Sequence, residues 1–202
     1  KDNPIDSGNH NHKGFSVLTL GDTVWVGTAA GINKGVVQGD CINWVGHYSS
    51  WLNNISGNWV IGFAHQEFVN KTRLWAITWA ADSEGEFNGL SYTDDGGKSW
   101  QTTMPSGYSE KVYNLYGDSQ GIWAAAESGL FYTLDGFHWE KYLRPFDNNT
   151  GEELLSESIM SVYHFEQLGE LWVGNEDGLA KSYDNGSNWT VYRFWEGNDV
   201  FS

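Results

Sequence analysis

Residues 170–189 read ELWVGNEDGLAKSYDNGSNW, and the architecture follows from this segment. An apolar run around Trp172 leads to a glycine and an aliphatic residue, Gly178 and Leu179, then to a polar turn that closes on Trp189. Aromatic and β-branched runs punctuated by Gly, Asp and Asn are the pattern of short strands joined by tight turns. The same succession occurs three more times: TVWVGTAAGINK from Thr23, RLWAITWAADSEGEFNGLSY from Arg73, and GIWAAAESGLFYT from Gly121. The leading tryptophans Trp25, Trp75, Trp123 and Trp172 stand 50, 48 and 49 residues apart. A period this regular over nearly the whole chain marks an internal repeat.

Each repeat opens with a further β-patterned segment, at residues 15–20, 59–63, 112–116 and 159–165. Three repeats close on a turn of fixed chemistry. Thr93-Asp94-Asp95-Gly96-Gly97-Lys98-Ser99-Trp100 and Ser182-Tyr183-Asp184-Asn185-Gly186-Ser187-Asn188-Trp189 share one spacing. Thr133-Leu134-Asp135-Gly136-Phe137-His138-Trp139 is one residue shorter, and in the first repeat only Asp40 and Trp44 echo the pattern. Four short strands in a unit of about 50 residues define a blade of a β-propeller, because one such sheet cannot bury both faces until it stacks on its neighbours. The expected fold is therefore all-β, with four four-stranded antiparallel blades.

The eight-residue turns resemble the Asp-box, or BNR, repeat, written Ser/Thr-x-Asp-x-Gly-x-Thr/Ser-Trp. The Trp-Val-Gly-Thr strands are similar to blades of two-component-regulator-type propellers. Together the resemblances cover residues 15–195. They imply that each box is a hairpin between the third and fourth strands of a blade, and that the four blades are an arc of a larger ring of six to eight. On this reading residues 1–14 are a polar tail or linker and residues 15–202 the propeller, with blades at about 15–50, 51–104, 110–145 and 157–195. Further blades are expected in the same or another chain, since residues 194–202 offer no recognisable closing strand. A self-closed four-bladed ring is the competing form.

Composition narrows the function. Lys and Arg number 11 against 26 Asp and Glu, a formal charge of −15, which disfavours nucleic acid as a partner. Hydrophobic residues make up 40% and aromatic residues 16%, too many for a disordered chain. No apolar run approaches the ~20 residues of a membrane span. The single cysteine, Cys41, excludes an intrachain disulfide framework and reads as a small buried thiol. The strong acidity fits a secreted, periplasmic or otherwise extracellular bacterial protein.

The site reading separates repeated residues from unique ones. Thr93, Asp95, Gly97 and Trp100, Thr133, Asp135 and Trp139, and Ser182, Asp184, Gly186 and Trp189 recur with the repeat, and a repeated residue serves a repeated structural need. Their carboxylates are expected to cap their own turns, as Asx-turns do. No catalytic set converges. The sialidase pattern implied by Asp-boxes needs an arginine triad, and Arg73, Arg144 and Arg193 occupy unrelated places. A polysaccharide-hydrolase pair of carboxylates cannot be singled out among many acids. No metal-ligand spacing and no cofactor loop is present: His10 and His12 lie in the tail, His47, His65, His138 and His164 are scattered, and residues 147–153 lack an ordered calcium-loop pattern.

What is unique is an insertion. The distance from the leading Trp to the glycine of the next strand is 14 in the second repeat and 6 in the others. The extra residues form an acidic, aromatic loop with Trp79, Asp82, Glu84, Glu86 and Phe87, the candidate binding loop. Trp51, Trp79 and Trp195 fall outside the repeat-matched positions; packing in the core between blades is the expectation for them, and stacking on sugar rings the alternative. The expected activity is that of a non-catalytic binding or scaffold module for a protein or glycan ligand. A propeller glycoside hydrolase and the ligand-sensing part of a sensor kinase are the alternatives.

Overall fold

A computed structural model describes residues 11, 13–81 and 83–193. The tail residues 1–10 and 12, Asp82, and residues 194–202, Trp195 among them, lie outside the described residues.

Among the described residues sixteen strands form four separate antiparallel sheets, each a simple meander. The first holds β1 (Gly14–Leu20), β2 (Thr23–Thr28), β3 (Gly31–Gln38) and β4 (Cys41–Tyr48). After a short helix, α1 (Ser50–Asn53), the second holds β5 (Trp59–Phe68), β6 (Lys71–Trp79), β7 (Gly89–Thr93) and β8 (Gln101–Thr103). The third holds β9 (Val112–Gly117), β10 (Ile122–Ala126), β11 (Gly129–Thr133) and β12 (Glu140–Tyr142). The fourth holds β13 (Ser161–Phe165), β14 (Glu170–Asn175), β15 (Gly178–Ser182) and β16 (Thr190–Arg193). First strands lie side by side: β1 against β5, β5 against β9, and β9 against β13. The sheets thus fan about a line flanked by their opening strands, which is the propeller arrangement. Among the described residues β13 and β1 have no comparable packing, so the four blades form an open arc.

Three cores fill the three gaps between blades. Trp25 and Ile32 of the first blade bury against Ile55, Val60, Leu74, Ala76 and Trp100. Trp75, Ile77, Leu90 and Tyr92 bury against Val112, Ile122, Ala124 and Ala126. Trp123, Ala125 and Leu130 bury against Ile159, Val162, Leu171, Val173 and Trp189. Period-two alternation explains the division, because successive residues of a strand face opposite sides of the sheet. The leading Trp of each blade points to the following blade, and the aliphatic residues beside it point to the preceding one. A tryptophan as buried as Trp75 or Trp123 removes ~150–250 Å² from water, roughly 4–6 kcal/mol of gross stabilisation.

The two outermost faces have the same chemistry with no blade to cover them among the described residues. Val17, Val37, Ile42 and Trp44 are exposed on the first blade. Tyr163, Phe165, Leu179, Tyr183 and Tyr192 are exposed on the fourth, where Trp172 is only half-buried. Cys41 corrects the expectation of a buried thiol. It is exposed, because it follows the two-residue turn Gly39–Asp40 at the outer edge of the first blade. Among the described residues no helix is long and apolar enough to cross a membrane.

Candidate functional site

In a meander the turns alternate between the two ends of the blades. The turns from first to second strand and from third to fourth strand therefore share one end, here the box end. The turns from second to third strand and the links between blades share the other, here the loop end.

At the box end, each box is closed by one repeated set of bonds. The Thr93 hydroxyl donates to Asp95 Oδ1 at 2.8 Å and accepts the Gly97 N–H at 2.9 Å. Asp95 then accepts the Ser99 N–H at 2.9 Å and the Ser99 hydroxyl at 2.6 Å. Ser182 and Asp184 repeat this with Gly186 and Asn188. In the short box Thr133 binds the Gly136 N–H, and Asp135 takes the N–H groups of Phe137 and His138 together with His138 Nδ1 at 2.7 Å. The missing residue is absorbed in the turn: Gly96 and Gly97, like Asn185 and Gly186, both take positive φ, whereas the short box has Gly136 alone. These donors stabilise the ionised carboxylates. The Ser99 hydroxyl above all lowers the Asp95 pKa to about 2, and His138 holds Asp135 still further below the usual range.

The box glycines also meet the preceding blade. A Cβ on Gly97 would lie 2.5 Å from the Tyr48 hydroxyl, one on Gly136 2.5 Å from Arg73 Nη1, and one on Gly186 2.7 Å from Tyr142 Cδ1. The closing tryptophans do the same, with Trp100 edge-on to Trp25 and Trp139 edge-on to Trp75. The boxes thus act as clasps between blades.

The loop end holds the unique features. Glu86 is turned inward: its carboxylate accepts from the Ser50 hydroxyl at 2.9 Å, the Ala81 N–H at 2.5 Å and the Asn58 amide. These bonds fix the inserted loop against α1. Trp79 lies between the second and third blades, its Nε1 donating to Val112 O at 2.8 Å and its ring edge-on to Tyr113. Glu84 and Phe87, by contrast, line a recess of about 440 Å³ together with Ser50, Trp51, Ile55 and Trp100. Trp51, on α1, is 79% exposed at its rim. The structure therefore brings Glu84 and Phe87 together with Trp51 and sends Glu86 and Trp79 into the framework; Asp82 lies outside the described residues. Ser50 and Asn58 carry no sequence signal, since only the meander lays residues 50–58 over residues 81–87.

The link of residues 144–157 is held both within itself and to the fourth blade, where Asp177 accepts the Ser156 N–H at 2.7 Å. The Asp147 carboxylate accepts the Asn149 and Thr150 N–H groups, and Arg144 pairs with Glu153 at 3.1 Å. Among the described residues no group of three His, Cys, Asp or Glu side chains is placed to hold a metal ion.

No family model matches the chain, and no curated protein matches it in sequence. Solved structures do match in fold. The extracellular domain of the hybrid two-component system BT4673 from B. thetaiotaomicron superposes with a TM-score of 0.66 at 16% identity, over 91% of this chain and 22% of that one. The corresponding domain of BT3049 from the same organism gives 0.62 at 22% identity, over 99% and 27%. An ancestral GH74 enzyme gives 0.61 at 19% identity, over 93% and 24%. The chain is thus similar to propeller proteins and spans about a quarter of the length of each of these.

Proposed function

We propose that the chain is a non-catalytic, extracytoplasmic propeller module that binds a protein or glycan ligand at its loop end. The carrying observation is the recess beside exposed Trp51, built on a loop that Glu86 holds in place. A flat, exposed indole beside a polar recess suits stacking on a sugar ring or an extended peptide. The fold likeness to extracellular domains of hybrid two-component systems supports an extracytoplasmic setting and a ligand-sensing or scaffolding role within a longer propeller. Further blades, in this chain or another, would complete that propeller.

Glycan and peptide arrays probed with the chain test this reading. Binding that falls about tenfold in Trp51→Ala supports it, tenfold being about 1.4 kcal/mol, within the range of one lost aromatic contact. Cleavage of a β-glucan oligomer, abolished by substituting a carboxylate, would instead establish the hydrolase alternative.

A further inference from the structure

The leading tryptophans carry a second regularity at the box end, made by cations of which Lys34 and Arg73 also donate to backbone carbonyls of the next blade's box. In three blades a cation from the chain itself covers the indole. Lys34 Nζ lies 5.1 Å from the centre of the Trp25 ring, and Lys181 Nζ lies 5.0 Å from that of Trp172. Both lysines occupy the position directly across from the Trp on the third strand of their blade. In the second blade that position is Tyr92, and the cation comes instead from Arg73, two residues before Trp75. Its guanidinium lies 5.4 Å from Trp75 and 4.3 Å from Tyr92. An acid accompanies the cation in two of these cases: Asp94 with Arg73 and Glu170 with Lys181.

The third blade keeps the aromatic and acidic parts and changes the basic one. Tyr132 lies across from Trp123, and Gly121 stands where Arg73 stands in the second blade. Among the described residues no lysine or arginine covers Trp123. Instead Trp123, Tyr132 and Tyr142 line a cavity of about 260 Å³ with Asp118, His164 and Glu166. The rings are close, with Trp123 4.3 Å from Tyr132 and 5.0 Å from Tyr142 between centres. Asp118, whose side chain is only 5% exposed, is held by the Gly121 and Gln120 N–H groups and by Trp123 Nε1. Burial would raise its pKa, but these donors together with His164 outweigh burial and keep the carboxylate ionised. His164 bonds Asp118 and stands roughly perpendicular to the Trp123 ring, 6.2 Å away between centres.

We propose that the cavity between the third and fourth blades binds an organic cation, an alkylammonium or guanidinium group, as the box-end counterpart of Lys34, Arg73 and Lys181. Three aromatic rings line the cavity, and a buried carboxylate adds charge that the rings alone lack. The hydrogen-bond sites of Asp118 are already engaged by the chain's own donors, so the guest is held by charge and ring faces and need not donate. The cation is either free or on the side chain of a partner protein.

Calorimetric titration of the whole chain at low ionic strength with tetramethylammonium, L-arginine and an arginine-bearing tripeptide tests the proposal. At least one probe is expected to bind, and tert-butanol, the neutral shape-mimic of tetramethylammonium, is not. Tripeptide binding tighter than free arginine assigns the cation to a protein side chain; equal or better binding of the small probes assigns it to a free amine. Tyr132→Lys, which installs the lysine of the first and fourth blades, is expected to weaken binding about tenfold or more, whereas Tyr132→Phe keeps it. Glu166→Gln, an exposed position whose amide oxygen can still accept the Ser119 N–H, is expected to weaken it about threefold independently of any folding defect in the lysine variant. Binding of no cationic probe, equal binding of tert-butanol, or indifference to both Tyr132→Lys and Glu166→Gln overturns the proposal. The loop-end reading stands or falls separately, because Trp51→Ala leaves this cavity untouched.

Discussion

A hydroxyl that donates to Asp95 while accepting from Gly97 makes the second blade's box a closed circuit of short bonds. Asp95→Ala opens that circuit, and a loss of about 1 kcal/mol is expected from urea denaturation. Gly97→Ala is expected to cost about 1–3 kcal/mol, because its φ of 92° strains any side chain and the Tyr48 hydroxyl stands in the way. The pH dependence has a definite sign. Asp95 has a folded pKa of about 2, below the ~3.9 of an unfolded aspartate, so on acidification the unfolded chain takes up the proton first. Its contribution is therefore complete above about pH 4 and disappears as pH falls towards 2. Denaturation midpoints measured across that interval should fall less in Asp95→Asn than in the parent. The box's hydroxyl, carboxylate and tryptophan were legible in the sequence as fixed spacings. The contacts that make the glycine necessary were not, because they come from the preceding blade, Tyr48 and Tyr142 from its fourth strand and Arg73 from its second.

At the scale of strands and blades, the four tryptophans divide by what lies opposite them. Trp75→Ala empties a fully buried position between two blades, and a loss of about 3–5 kcal/mol is expected. Trp172→Ala, on a half-covered face, is expected to cost about 1 kcal/mol, and denaturant titration of both variants measures the contrast. The blades themselves were readable because period-two alternation, turn residues and a 48–50-residue spacing all point the same way. The inserted loop was readable as an irregularity in length, but its internal division was not. Glu86 looks like Glu84 in the sequence, and only the placement of α1 makes one a brace and leaves the other beside the recess.

Taken as a whole, the molecule pairs a charge of −15 with two broad apolar faces at the ends of its arc. Faces of this kind drive association, whereas like charge opposes it until salt screens the repulsion. Sedimentation velocity on the 202-residue chain is expected to show association that grows with protein concentration and with ionic strength. Trp44→Lys or Tyr163→Lys, each placing charge on an exposed face, should reduce it. The asymmetry of the gaps reaches further. Every joint sets the leading tryptophan of one blade against the aliphatic residues that flank the leading tryptophan of the next, with that next blade's closing tryptophan beside them, always in the same sense along the chain. A tandem duplication of the unit would carry both halves of a working joint with it. Lengthening or shortening such an array by whole units therefore demands no new chemistry, while inverting one would turn leading tryptophan towards leading tryptophan at one joint and aliphatic row towards aliphatic row at the other.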